Sequence, residues 1–511
     1  MTFHGILFRR GLGQALEKRA SAPPFFSDLN LDQIVAAITA GKEDYELKPF
    51  FYLPLKDPDD IVFRHEVTQD LEQPQLFEDI KTFNASMHAM REHLAQAEKL
   101  HYERQKERWI LDAVNIYCDA VTRLAEDLSR ACPKSRGLSG LREYVARHVA
   151  SEGFTTLRAQ GRELAAKLAT IHYSVLINGG FVQVRRYDGE PDYGAEVVTT
   201  FERFEQGTVK EYAFSFDDSV EMNHVEALIL DQVVKLYPEI FSELQQYVSE
   251  RGDFADPTII AFDREVQFYV AYLEYLEAFR KAGLTFCYPR VSRAGKEVYD
   301  CQGFDLALAG KLIREEAVPV CNDFHLSGQE RIIVVSGPNQ GGKTTFARTF
   351  GQLHYLASLG CLVPGTRAQL FLFDSLFTHF EREEDVGDLR GKLQDDLVRV
   401  HDILEHATPD SIIIMNEVFT STTSQDADIL SRRIAARIML LDSLCVWVTF
   451  LDELASLSDT TVSMVSTVVP ENPTVRTYKI VRRPADGLAY ALSIAEKHGL
   501  TYDRIRGRIG S

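Results

Sequence analysis

One short stretch constrains this chain more than any other: Gly337-Pro338-Asn339-Gln340-Gly341-Gly342-Lys343-Thr344, directly behind the apolar run Ile332-Ile333-Val334-Val335. The pattern is G-x-x-x-x-G-K-[ST]. A buried strand precedes it and residues 345–356 behind it read as a helix, which is the order a phosphate-binding loop requires. The glycines let backbone approach a phosphate, while the loop N–H groups and the positive end of the helix point at its oxygens. In such a loop Lys343 reaches the outer phosphates and Thr344 ligates Mg²⁺. The competing reading, a glycine-rich turn with an exposed lysine, does not explain the flanking strand and helix.

A second strand, Ser411-Ile412-Ile413-Ile414-Met415, ends in Asn416-Glu417. An acidic pair at such a strand end orients the water shell of Mg²⁺ and polarises an attacking water. Asn416 stands where the first acid is expected, so one charge is missing. Glu417 remains as the candidate base. Thr344, Asn416 and Glu417 form the candidate metal set, and Lys343, Asn416 and Glu417 the candidate catalytic set. The plainer reading of Glu417 is a solvated strand end.

At 511 residues the chain exceeds what one hydrophobic core usually organises, so about two to four domains are expected. Hydrophobic residues at 45% and charged residues at 26% fit a folded globular protein. No apolar run approaches the roughly 18–20 residues that cross a bilayer, and charged residues interrupt positions 1–19, leaving no signal-peptide core. The expectation is a cytoplasmic protein with no membrane partner. Seven cysteines without a CxxC pair read as reduced thiols. A net charge of −19 opposes indiscriminate nucleic-acid binding without excluding a local basic channel.

Along the chain, residues 1–60 mix a short helical stretch with a Pro- and Asp-rich loop. Residues 61–169 are charged and helical, with long antiparallel helices expected over 85–106 and 109–131 and a turn at 133–140. Between 173 and 216 the period becomes two, and Asn178-Gly179-Gly180 reads as a hairpin turn inside a small β insertion. Residues 224–250 and 257–281 each place apolar side chains on one face and read as long lever helices. Beyond Pro289 buried strands alternate with helices, which is α/β architecture.

The loop with Thr345 resembles the G-P-N-x-G-G-K-[ST]-[TV] version found in the MutS family of DNA mismatch-repair ATPases. Its flanks are similar too. Val320-Cys321-Asn322-Asp323-Phe324-His325-Leu326 resembles the family's V-x-N-D-x-x-L, Leu356-Ala357-Ser358-Leu359-Gly360-Cys361-Leu362-Val363-Pro364-Gly365 its L-A-Q-x-G-x-F-V-P-A, and Ile403-Leu404-Glu405-His406-Ala407-Thr408 its I-L-x-x-A-T. Ala489-Tyr490-Ala491-Leu492-Ser493-Ile494-Ala495 with Gly499-Leu500 resembles the helical element through which members dimerise. Leu53-Pro54-Leu55, Ile61 and Arg64 resemble the opening of the family's helical core.

The resemblance implies ATP and Mg²⁺ as cofactors, a homodimer and DNA as partners, and a nucleotide site comprising Gly337, Pro338, Asn339, Gln340, Gly341, Gly342, Lys343, Thr344, Thr345, Phe324, Gly391 and Lys392. Phe324 is implied beside the adenine. Gly391-Lys392 stands in the S-T-F-x-x-E-M signature that reaches a partner's γ-phosphate. Four departures concern chemistry: Asn416 for the Asp; Gly391 for the signature Ser; Phe419-Thr420-Ser421-Thr422-Thr423-Ser424 for G-R-G-T-S-T; and Phe450 where the family carries its switch histidine. No counterpart of the mismatch-reading domain is recognised.

The expected architecture is multidomain α plus α/β. It comprises an N-terminal segment (1–60), a helical core/lever domain with a small β insertion (61–288, insertion about 173–216), and a P-loop ATPase domain of the ABC/MutS type with a C-terminal dimerisation element (289–511). The expected function is ATP-dependent binding of mismatched or branched DNA with hydrolysis. The alternative is an ATP-gated dimeric scaffold that hydrolyses slowly and acts on a protein. A P-loop kinase or nucleotide transferase fits the Gly-Pro-Asn loop poorly.

Overall fold

The computed structural model describes residues 3–9, 21–179, 181–190, 222–381, 391–469, 471–485 and 505–506. By packing, the chain forms two compact units. One comprises Met1–Glu72, Lys134–Leu138 and Arg264–Ser511, the other Gln73–Pro133 and Ser139–Asp263. This division differs from the ranges 1–60, 61–288 and 289–511 expected from pattern, because residues 61–72 and 264–288 pack with the C-terminal region. Arg64 shows why. It is fully buried, donates to Leu7 O at 3.1 Å and Leu359 O at 2.7 Å, and its guanidinium lies 5.0 Å from the ring centres of both Phe8 and Phe268. A buried cation held by carbonyls and aromatic faces from three segments locks those segments to its own helix.

The second unit is built on helices Pro74–Lys99 and Glu103–Ala131, joined by residues 100–102. Leu111, Val114, Tyr117, Cys118, Val121, Leu124 and Leu128 recur at three- and four-residue steps and are all buried, as an amphipathic helix requires. Gly161 lets helix Glu152–Ala169 come close: a Cβ there would lie 2.8 Å from Asn115 Oδ1 and Tyr247 Oη. The continuous lever helix expected over 224–250 is instead two helices, His224–Leu236 and Pro238–Glu250. Pro238 has no N–H to donate and drives Tyr237 out of the helical region, to φ −129° and ψ 50°. Strands β1 (Tyr173–Asn178) and β2 (Phe181–Arg186) form the expected antiparallel hairpin. The rest of the expected insertion, from 191 on, lies outside the described residues.

The first unit carries strands β3 (Phe286–Cys287), β4 (Arg290–Ser292), β5 (Val298–Gly303), β6 (Asn322–Leu326), β7 (Ile332–Ser336), β8 (Val363–Pro364), β9 (Arg367–Phe371), β10 (Leu376–His379), β11 (Ile412–Asn416), β12 (Leu444–Val448), β13 (Thr461–Val469) and β14 (Asn472–Arg482). Its main sheet runs β10-β11-β12-β7-β13-β14, parallel except for β14 at the edge. Ile332, Val334, Ile413, Met415, Cys445 and Trp447 pack with Ala427, Ile434, Ala435 and Ile438 of helix Ser424–Leu441. On helix Lys343–Ser358, Gly351 sits so close to Ile414 Cδ1 that a Cβ would be 2.7 Å from it. Both faces are covered, which is why these strands are continuous apolar runs. Each such buried side chain contributes about 1.5–3 kcal/mol.

The N-terminal segment backs this sheet. Asp28 O accepts from Arg348 Nε, Leu29 O from Gln352 Nε2 (both 2.9 Å), and Asp28 Oδ2 from Thr378 Oγ1 at 2.6 Å. A second sheet, β4-β9-β5-β6, flanks the first. On β5 the Asp300 carboxyl is buried against Gly303 and Gly365; a Cβ on Gly365 would be 2.6 Å from Asp300 Oδ1. Burial, with Asp323 nearby, pushes this carboxyl up to about 8.

Candidate functional site

Strand β7 delivers the chain into the loop, and helix Lys343–Ser358 takes it away. Three loop residues are left-handed: Gly337 (φ 113°), Gln340 (φ 59°) and Gly342 (φ 90°). Such turns gather N–H groups into an anion-binding concavity. Glycine is required at the first of these for a second reason. Strand β13 runs against the loop, and a Cβ on Gly337 would lie 2.9 Å from Ser466 O. Ser466 Oγ also donates to Gly341 O at 2.7 Å, pinning the loop from below.

Lys343 is 4% exposed and folds back on the loop, donating to Gly337 O (3.0 Å), Pro338 O (3.2 Å) and Asn339 Oδ1 (3.4 Å). Its Nζ lies 3.9 Å from Glu417 Oε1 and 4.5 Å from the centre of the Phe450 ring. Burial lowers the lysine pKa, and Glu417 opposes that shift. Thr344 Oγ1 donates to Asn416 Oδ1 at 2.9 Å. Asn416 ends β11, and Glu417 follows at φ 53° with its N–H bonded to Val448 O at 2.9 Å. A left-handed glutamate held by the neighbouring strand is strained backbone of the kind functional sites retain. Lys343, Thr344, Asn416 and Glu417, distant in sequence, therefore meet at one end of the sheet. Asn339 and Gln340 are exposed on the loop, Pro338 is buried, and Thr345 lies in the first helical turn.

Phe324 does not line this site. Its side chain is 3% exposed, packed against Phe350 and Phe346 with ring centres 5.0 and 6.2 Å away. Alternation along β6 turns Phe324 inward and Asp323 and His325 outward, so the ring cannot stack on a base. The neighbouring Asn322 instead braces β14: its amide donates to Tyr478 O at 3.1 Å and accepts from Ile480 N at 2.8 Å. Tyr478 is the residue that sequence reasoning missed. It sits at φ 59°, is half exposed, and its Cδ1 would lie 3.8 Å from a Cβ on Gly342. Arg476 of the same strand donates to Asn339 O at 3.1 Å.

Gly391 caps helix Lys392–His406, with open space around its Cα, and Lys392 pairs with Glu381. Among the described residues no hydrogen bond or ion pair joins either to the loop. On helix Ser424–Leu441, Arg432 pairs with Asp428 and Arg437 lies near Glu405. The tail expected to dimerise, from 489, lies outside the described residues except for 505–506. No described helix is long and apolar enough to cross a membrane.

Residues 333–506 match the family described as MutS domain V. Three curated proteins, each called "DNA mismatch repair protein MutS", are similar to the chain. That of Shouchella clausii is 29% identical over 184 residues, 35% of this chain and 21% of the relative. That of Geobacillus kaustophilus is 25% identical over 221 residues, 42% and 23% of the two chains. That of Bacillus pumilus is 26% identical over 217 residues, 42% and 24%. The chain thus covers less than a quarter of the length of these relatives.

Proposed function

From the premise that the chain belongs to the MutS family through its domain V, residues 333–506, we propose that it binds ATP with Mg²⁺ at the Gly337–Thr344 loop. It hydrolyses the nucleotide and couples nucleotide state to DNA as a homodimer. The observation that carries this reading is the convergence of Lys343, Thr344, Asn416 and Glu417 on a concave, N–H-lined loop. Lys343 is placed to leave its carbonyl partners for the β- and γ-phosphates. Glu417 is placed to position the attacking water and accept its proton.

The oxygen donors fit Mg²⁺. Thr344 Oγ1 and Asn416 Oδ1 are hard ligands beside the Glu417 carboxylate, and no cluster of three His, Cys, Asp or Glu among the described residues forms a closed metal cage. That suits an ion completed by phosphate and water. When bound, Mg²⁺ supplies charge stabilisation to the departing phosphate. Asn416 holds water less firmly than a carboxylate does, and Phe450 offers no hydrogen bond where the family has histidine. Both favour slow turnover, and with it the second reading: a nucleotide-gated scaffold for a protein partner. Equilibrium ATP binding and steady-state turnover, with and without duplex, mismatched and branched DNA, separate the two. The leading reading requires ATP-modulated DNA affinity, whereas ATP binding with no DNA response selects the scaffold. Absence of ATP binding rejects both.

A further inference from the structure

Helix Lys392–His406 presents Gly391 and Lys392 at its N-terminal end, yet its apolar seating is thin. Val400 and Ile403 are its only buried hydrophobic residues. A cavity of about 740 Å³, lined in part by Asp395, Arg399, Asp402 and Ile403, runs along its flank. Leu393 and Leu404 are partly buried against the sheet core, and a polar face holds the helix as well. Residues 392, 396 and 399 lie on one side of it, a turn apart. Each meets one of three consecutive residues at the end of β10: Lys392 pairs with Glu381, Asp396 Oδ1 lies 3.1 Å from His379 Nε2, and Arg399 donates to Phe380 O at 3.2 Å.

These contacts are not equal. The Lys392–Glu381 pair is open to water, where ion pairs contribute little. The His379 and Asp396 side chains are 1% and 8% exposed, and the Asp396 carboxylate lies against a ring neither of whose nitrogens has a hydrogen-bond partner among the described residues, so this approach is shielded from water. His379 is also the last residue of β10, in register with Met415 of β11, the residue before Asn416. One buried contact therefore joins the strand pair ending at Asn416-Glu417 to the helix that begins at Lys392.

We propose that His379 and Asp396 are positioning residues that fix the start of helix Lys392–His406 relative to the β11 end. They thereby aim Gly391-Lys392 at a nucleotide bound by a second copy of this chain. The inference rests on the dimer reading above. Among the described residues neither makes a hydrogen bond or ion pair to loop 337–344, so the effect of breaking the contact falls on association and not on that loop's affinity.

The test uses the full chain with His379→Gln and, independently, Asp396→Asn, each close in size to the residue it replaces. ATP affinity is measured at protein concentrations below self-association, and ATP-dependent self-association by sedimentation. ATP affinity is expected to stay within about twofold while association weakens about tenfold, a usual size for coupling between sites. A mixed pairing sharpens the result. An Asp396→Asn chain paired with a Lys343→Ala chain keeps one composite site whole and should associate more tightly than either variant does with itself. Placing both substitutions in one chain leaves no whole site with wild type and should weaken that pairing at least about tenfold more. Equal loss of ATP affinity and association in both variants, or symmetric behaviour of the two mixed pairings, overturns the proposal. Wild-type protein that shows no ATP-dependent association overturns the dimer reading and this inference with it. Wild-type association with unaltered variants overturns this inference alone.

Discussion

The two sides of the candidate site differ in their chemistry. On the gripping side, loop 337–342 and helix Lys343–Ser358 carry every group that phosphate binding needs: left-handed glycines, a buried lysine and a threonine hydroxyl. On the sensing side, the ends of β11 and β12 and the start of helix Lys392–His406 carry an amide, an aromatic ring and a glycine where the family has acid, imidazole and hydroxyl. Distance does not separate the strand ends from the loop, since Asn416 is 2.9 Å from Thr344 and Phe450 is 4.5 Å from Lys343. The proposed reading therefore predicts that binding and hydrolysis rest on separable features: binding on the loop's backbone shape and Lys343, hydrolysis on individual side chains at strand ends that can be replaced without disturbing the sheet.

The sharpest way to break that comparison is Lys343→Ala. The loss of ATP affinity should be about 4 kcal/mol, close to a thousandfold, because a buried cation–phosphate contact is removed. Calorimetric titration showing unchanged affinity would remove the gripping side from the account. Next comes Glu417→Gln, which should lower turnover about a hundredfold by removing a base while leaving affinity intact. Radiolabelled-phosphate release decides it, and wild-type turnover would leave Glu417 without a catalytic role.

A smaller effect on the nucleotide is expected from a change outside the site. Asp300 is protonated in the folded state up to about pH 8, against an ordinary value of 3.8. Between those values the folded chain holds a proton that the unfolded chain releases, so stability falls as pH rises through the window and levels off above it. Asp300→Asn should remove this slope and stabilise the protein at pH 8 by on the order of 5 kcal/mol. Urea unfolding across the range measures this, and a slope unchanged by the substitution contradicts it. The comparison predicts that affinity does not suffer in this variant, whose side chain lies against Gly303 and Gly365.

Much of the gripping side was legible in sequence because its determinants are local: glycine spacing, a strand before and a helix after. Strands β7, β11 and β12 announced themselves as continuous apolar runs. What escaped depends on long-range contacts or on alternation. Nothing near Asp28 and Leu29 marks them as partners of Arg348, Gln352 and Thr378. Phe324 lay in the right motif, yet its position in β6 turns it into the core. Tyr478 reaches the rim through a left-handed backbone on an edge strand, a conformation its sequence does not signal. The break at Tyr237 is different in kind. Pro238 stood in plain view, and the apolar periodicity around it concealed the missing donor.

The central claim, that grip and hydrolysis are separable here, is tested most directly by Asn416→Asp with ATP affinity and steady-state turnover measured on the same sample. A carboxylate holds metal-bound water roughly twice as strongly as an amide, which lowers the barrier by about 1–2 kcal/mol. The account predicts turnover raised about tenfold with affinity within about twofold of wild type. Turnover that falls, or affinity and turnover that change together, would contradict it.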